Sequence, residues 1–194
     1  MKKTFLLLAF VTATLFSFSQ DAALNARLNS FIKANDAMDL DKILDFTYPK
    51  IFTLAPREKL KEALNESFNG EDVTVKMDSL QILKIFPVFT VEDGTFAKIK
   101  YSFVMFMTFK EAEDQETRQE ENEFMLSLMG ETYGKNNVSY DPVSKAIRIK
   151  VNSEMAAIKD KYAKEWCFMD MVNNKAMNEK MLDKTILDKL ATYH

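Results

Sequence analysis

One cysteine, one histidine, four glycines and four prolines are all that 194 residues hold of those types, and each scarcity closes off a chemistry. The lone Cys167 has no partner for an intrachain disulfide, so the core must carry stability by itself. With apolar neighbours and no histidine beside it, Cys167 reads as a quiet thiol rather than a nucleophile. The single histidine, His194, stands at the end of the sequence, where a frayed residue is the default. Neither a Ser/His/Asp constellation nor a Cys/His metal set can therefore be assembled. Four glycines leave little material for phosphate-cradling loops, and no nucleophile elbow is present. No catalytic residue, metal ligand or cofactor is assigned.

Basic charge is also short. Lys and Arg number 26 against 29 Asp and Glu, a formal charge of −3, and scattered lysines in such a chain make no electrostatic footprint for nucleic acid. Asp36, Asp39, Asp41 and Asp45 cluster, but a calcium loop also needs a glycine turn and a distant bidentate glutamate, and neither is at the required spacing. Helix capping accounts for Asp39.

What is present begins with MKKTFLLLAFVTATLFSFSQ: two lysines, an apolar run from Phe5 to Phe16, then small residues. This layout predicts a secretory signal peptide over residues 1–19, cleaved between Ser19 and Gln20, and an exported chain, periplasmic or secreted. The apolar run is short for a membrane span, and no later segment approaches the ~20 apolar residues one requires. Removal of the leader takes Lys2 and Lys3 with it, so the charge becomes −5. Residues 20–194 are expected to form one domain, rich in Met and Phe that fill irregular space.

The mature chain opens on helices. Leu24, Leu28, Phe31 and Ile32 recur at helical spacing. Asp39 can cap a second helix carrying Leu40, Ile43, Leu44 and Phe46, which Pro49 ends. Pro56 suits the first turn of a third, with Leu60, Leu64 and Phe68 on one face and Gly70 as the stop. At Val73 the period changes to that of a long antiparallel hairpin with Asp93-Gly94 as the turn signal. With those two residues central, Val91 faces Phe96 and Phe89 faces Lys98. One face then carries Ile99, Tyr101, Phe103 and Met105 together with Val88, Phe86, Lys84 and Ile82. The other carries Val104 and Phe106, with Leu83, Gln81 and Ile85 across the hairpin. Pro87 can introduce a bulge that shifts this register.

Residues 111–134 begin as an acidic run and become a helix with Phe124, Met125, Leu128, Met129 and Tyr133 on its apolar side. Strands follow on either side of Asp141-Pro142. A last hairpin turns near residues 160–164, and a helical tail bears Met177, Met181, Leu182, Ile186, Leu187 and Leu190. Helices followed by antiparallel strands make an α+β domain.

FIKANDAMDLDKILDFTYPKIFTLAPREKLKEAL, with its Asp39 start and Tyr48-Pro49 stop, resembles the helical opening of the nuclear-transport-factor-2-like, cystatin-like cone superfamily. The later AIKDK and EWCF are similar to the final hairpin of exported bacterial members with no assigned activity. The resemblance implies N-terminal helices packed on a strongly curved, cone-shaped antiparallel sheet, with 111–134 as an acidic helical insertion and a C-terminal helical tail. It also implies a conical cavity, which some members use and others fill. Tyr48, Phe52, Lys84, Phe86, Tyr101, Phe103, Met105, Trp166 and Phe168 are the expected lining. Asp170 shares strand parity with Trp166 and Phe168.

Enzymes of that superfamily, ketosteroid isomerase and scytalone dehydratase among them, resemble one another in placing acid–base groups in the cone. No residue-by-residue match to either set can be drawn here. The expectation is therefore a non-catalytic exported protein that binds a small apolar ligand in the cone or serves as an interaction module. One alternative is an isomerase, dehydratase or hydrolase using a buried lysine or carboxylate. Another is a structural dimer with a filled cone. Leu83, Ile85, Val104 and Phe106 form the expected homodimer interface on the outer sheet face, unless the acidic helix covers it.

Overall fold

A computed structural model of the chain describes residues 22–109, 115–172 and 175–194, with the backbone alone for 115–120. The expected leader and the start of the acidic insertion lie outside the described residues. Helix α1 spans 22–36, and its period-of-four apolar stripe places Leu24 and Leu28 in the core. It ends as Met38 takes a left-handed φ of 50°. The Asp39 carboxylate then accepts the Lys42 N–H at 3.2 Å and starts α2 (Leu40–Phe46) as expected. Pro49 opens a 3₁₀ turn (Pro49–Thr53), and Pro56 stands immediately before α3 (Arg57–Phe68).

The sheet has six antiparallel strands: β1 (Val73–Ile85), β2 (Phe89–Val91), β3 (Gly94–Phe109), β4 (Val138–Asp141), β5 (Ala146–Lys159) and β6 (Cys167–Asp170). The main path is β1-β3-β5-β4; β2 pairs with β3 and β6 with β5, and the sheet is not closed. Helix α4 (Gln115–Tyr133) separates β3 from β4, and α5 (Lys175–Met181) and α6 (Lys184–Ala191) follow β6. The fold is α+β. Among the described residues no helix is long and apolar enough to cross a membrane.

The hairpin register differs from the expected one. Val91 pairs with Gly94 and Phe89 with Phe96, so Glu92 and Asp93 are the central turn residues, Glu92 at φ 53°. Gly94 belongs to the strand because its bare backbone makes room. A Cβ there would sit 2.6 Å from the Phe96 ring. Further along, irregularities between Ile82 and Lys84 and between Asp78 and Gln81 each slip β1 against β3. Nearer the turn than either, the register already changes by one residue across Pro87, between Phe89 opposite Phe96 and Ile85 opposite Ile99, and Lys84 pairs with Lys100. A one-residue slip exchanges faces: Lys84 is exposed and Ile85 turns inward.

Along β3 and β5 the inner face carries Ala97, Ile99, Tyr101, Phe103 and Met105 beside Ala157, Met155, Ser153, Val151 and Ile149. Helix α1 covers one half of it, packing Leu24, Leu28 and Phe31 on Ile99, Trp166 and Phe168. Helix α4 covers the other half with Met125, Leu126, Met129 and Tyr133 on Phe103, Met105, Ile147 and Ile149. Phe124 and Leu128, expected on the buried side of α4, are 67% and 42% exposed. Each lies about 100° of helical rotation behind its half-buried successor, Met125 or Met129. On the opposite face α5 and α6 cover only the β2–β6 end, burying Met181, Leu182, Ile186 and Leu190 on Phe96, Ala156, Ile158 and Met169. At that end the sheet is apolar on both sides, which is why Met155 to Ile158 form an unbroken buried run.

The N-terminal helices are fastened to this end through β6. Thr47 forms a parallel bridge with Phe168, and the Tyr48 N–H donates to the Phe168 carbonyl at 3.0 Å. The Tyr48 hydroxyl, on a side chain 1% exposed, donates to Asp160 at 2.6 Å. Burial, reinforced by the Asp160 carboxylate, holds this phenol far above its ordinary pKa. Arg27 donates to the Trp166 carbonyl at 3.0 Å and lies 4.3 Å over the Phe46 ring. Tyr48→Phe is expected to lower unfolding free energy by about 1–3 kcal/mol in urea denaturation, with the far-ultraviolet spectrum unchanged. A loss below about 0.5 kcal/mol, the level of an ordinary surface substitution, would contradict this role.

Candidate functional site

The residues expected to line a cone do not share one surface. Tyr101, Phe103, Met105, Trp166 and Phe168 do face inward. Tyr48 belongs to the core on the other side, beneath α5 and α6. Phe52 sits in the 3₁₀ turn, with the Arg57 guanidinium 5.8 Å from its ring. Phe86 and Lys84 are turned outward by the one-residue change of register at Pro87. Phe86 packs against Tyr193 at 5.2 Å between centroids, and the Lys84 ammonium stands 4.2 Å from the Phe86 ring centre.

The inward set is packed against helices. Phe31 of α1 meets Phe168 at 5.0 Å and Phe46 at 5.9 Å, and methionines of α4 occupy the space over Phe103 and Met105. Clefts of about 170, 340, 370 and 640 Å³ open among the described residues, and Phe86, Tyr101, Phe103, Met105 and Phe168 line none of these four.

Between the two inner clusters lies a polar junction that sequence parity partly anticipated. Asp170 pairs with Met155 at the end of β6. Its carboxylate accepts the Tyr101 hydroxyl at 3.2 Å, the Ser153 hydroxyl at 3.1 Å and the Val172 N–H at 3.0 Å. Burial, with the Asp170 charge adding to it and Ser153 opposing it, pushes the Tyr101 phenol up to about 12. Near neutrality Tyr101 is thus a hydrogen-bond donor and not a base.

The outer face holds a second polar group. Lys98, 9% exposed, bonds the Glu154 carboxylate at 2.7 Å and the Tyr193 carbonyl at 2.8 Å. Lys100 approaches the other Glu154 oxygen at 3.7 Å, and Lys84 reaches the His194 carbonyl at 3.4 Å. These contacts seat the last residues of the sequence across the β1–β3–β5 surface. A lysine with its charge matched and its protons shared among acceptors is a fastening, not a nucleophile.

Beyond Lys100 this face is open. Val104 stands between Asp78 and Lys150, and Phe106 between Lys76 and Arg148. Both apolar side chains are half-buried while Lys76, Asp78 and Lys150 are exposed. Leu83 and Ile85, expected across from them, are elsewhere: Leu83 is 55% exposed at the irregularity, and Ile85 packs inward beside Ile82. Helix α4, the expected alternative cover, occupies the opposite face. Phe106 also lines the 340 Å³ groove with Met38, Leu40, Phe68, Val75 and Lys76. Sequence reasoning missed the contribution of α3 to this groove. The signal was a helix with apolar residues at Leu60, Leu64 and Phe68 none of which is fully buried. Among the described residues no cluster of three or more His, Cys, Asp or Glu is placed to hold a metal ion.

Lys84→Met is expected to shift unfolding free energy by no more than about 0.5 kcal/mol in a urea titration; a larger loss would mean that its contacts with Phe86 and His194 matter more than exposure suggests. For Tyr101 the linkage has a definite sign. Its folded pKa lies above the ordinary tyrosine value of about 10, so its contribution is complete below that pH and is lost as pH rises through about 12. Tyr101→Phe should therefore reduce the alkaline loss of stability measured between about pH 9 and about pH 11.5, with Tyr48 supplying the part that remains. An identical decline in variant and wild type would exclude the junction as its source. The chain matches no protein-family model and no curated protein, so its function is read from this geometry.

Proposed function

We propose that this chain is an exported, non-catalytic interaction module that pairs with a second copy of itself through the open outer face of its sheet. The observation that carries the reading is the half-buried Val104–Phe106 strip, set between charged rows and bordered at Phe106 by the groove with Leu40 and Phe68, while both halves of the opposite face lie under helices. A half-buried phenylalanine and valine on an otherwise polar sheet face are the composition of a small interface centre with a charged rim. The row through Val104 holds Asp78 on one side and Lys150 on the other. In a two-fold contact each copy then offers the complement of what it needs. Export is supported by the lysine-led, apolar composition of residues 1–19.

The packed inner face favours this reading over a ligand held in a cone. An acid–base enzyme would draw on Lys98 or on the Tyr101–Asp170 junction. Lys98 is committed to Glu154 and the Tyr193 carbonyl, and the phenol keeps its proton.

Light scattering on a sizing column should give twice the chain mass at tens of micromolar, and Phe106→Asp should give the monomer with an unchanged far-ultraviolet spectrum. Loss of a central aromatic anchor typically weakens association by about 2 kcal/mol or more. Asp78→Lys should weaken the dimer and the added Lys150→Asp restore it. Wild type that is monomeric at these concentrations would sink the proposal.

A further inference from the structure

Helix α4 is apolar on both of its sides. Met125, Leu126, Met129 and Tyr133 pack onto the sheet, while Phe124 and Leu128 stand 67% and 42% exposed on the solvent side. A helix that is apolar all round is one with packing all round, and the sheet supplies only one of those sides. Single apolar residues scattered over a surface need no explanation. This pair differs in its spacing and in what surrounds it.

Glu121, Phe124, Leu128 and Glu131 follow one another at intervals of three, four and three residues. All four therefore lie within about 80° of one another around the helix, on a ridge about 15 Å long, and all four are exposed. The ridge reads acid, aromatic, aliphatic, acid. From Glu121 to Gly134 the sequence holds three glutamates and neither lysine nor arginine. Phe124 and Leu128 line none of the four clefts, so what fits here is a surface rather than a small molecule held in a pocket. The sign of the charge narrows that surface further. A second α4 laid along this one, in either direction, would set glutamate against glutamate at both ends, and like charges so placed reject a partner.

We propose that the Phe124–Leu128 ridge of α4 is a docking site for a basic amphipathic helix of another protein. The apolar stripe of that helix lies along Phe124 and Leu128, and a lysine or arginine at each end of the stripe meets Glu121 and Glu131. A contact this small is transient and salt-sensitive. The ridge lies on the opposite side of the sheet from Phe106, so this proposal and the pairing of two copies fail separately.

The test uses the full mature chain and a dye-labelled helical peptide of about 18 residues, with a leucine stripe and a lysine at each end of it. The control peptide carries glutamates in place of those lysines. Fluorescence anisotropy should show the lysine peptide bound at least about tenfold more tightly, with most of the difference lost between about 50 and about 500 mM salt. Phe124→Ser should weaken the lysine peptide about tenfold, the loss of an anchoring aromatic, with the far-ultraviolet spectrum unchanged. Leu128→Ser supplies the same measurement should that variant not fold. Glu121→Lys combined with Glu131→Lys should turn the preference to the glutamate peptide. Equal affinity for the two peptides, or no binding of either, would overturn the proposal. So would lysine-peptide binding that Phe124→Ser and Leu128→Ser both leave unchanged, since attraction to an acidic chain as a whole needs no ridge. A sizing-column mass that falls in Phe124→Ser without peptide would give the ridge to a second copy and overturn the partner named here.

Discussion

The attachment of the helical N-terminal half to β6 is the constraint on which the rest of the architecture depends. Backbone pairing at Thr47 and Tyr48 with Phe168 sets the height of α2 against the sheet. The Tyr48 hydroxyl then ties that point to Asp160, whose other oxygen caps the β5–β6 turn by accepting the Tyr162 and Ala163 N–H groups. One carboxylate thereby shapes a turn and anchors a residue 112 positions away. Lys50, two residues beyond Tyr48, donates to the Met181 carbonyl at 2.8 Å and brings the C-terminal helices into the same arrangement. Helices from both ends of the described chain converge on one short edge strand.

From there the two faces follow different logic. At the β6 end both are buried, and the strands read as continuous apolar runs. At the β1–β4 end helices pack across the inner face and reach the outer one only at the Phe106 groove, and β5 alternates between Ile147, Ile149 and Val151 inside and Arg148, Lys150 and Asn152 outside. The functional reading follows from this asymmetry. Where helices lie on the sheet, aromatic residues are core. Where they do not, two apolar side chains among charges remain for a partner.

Local signals were legible in the sequence: the Asp39 cap, the stop at Pro49, the strands on either side of Asp141-Pro142 and the amphipathic α6. Register was not. The irregularities at Ser79 and Leu83 carry neither glycine nor proline to mark them, though Ser79 holds a φ of 56°. Each moves a run of side chains to the other face, but the slip that took Lys84 out of the expected lining and Ile85 into the core lies at Pro87, the one break that the sequence marked. Helix α4 was ambiguous for another reason. Phe124, Met125, Leu126, Leu128 and Met129 surround the helix too evenly for periodicity to choose a buried side, and only contact with Ile147 and Ile149 does so. Lys98 was hidden because its partners, Glu154 and the Tyr193 carbonyl, are far off in sequence.

The change in burial along β5 also governs how freely the strand can vary. From Ile147 to Asn152 every second position lies on the outer face, and exchange there leaves the core in place. From Met155 to Ile158 no position is more than 3% exposed, and each residue is confined between two packed layers. Ala156 and Ala157 are small because helices lie above and below them, and any added methylene would have to displace one. Within a single fourteen-residue strand, one half is constrained by the core on one face and the other half on both. Relatives of this chain would therefore be recognised by the MAAI tetrapeptide well before any likeness in the strand's first half.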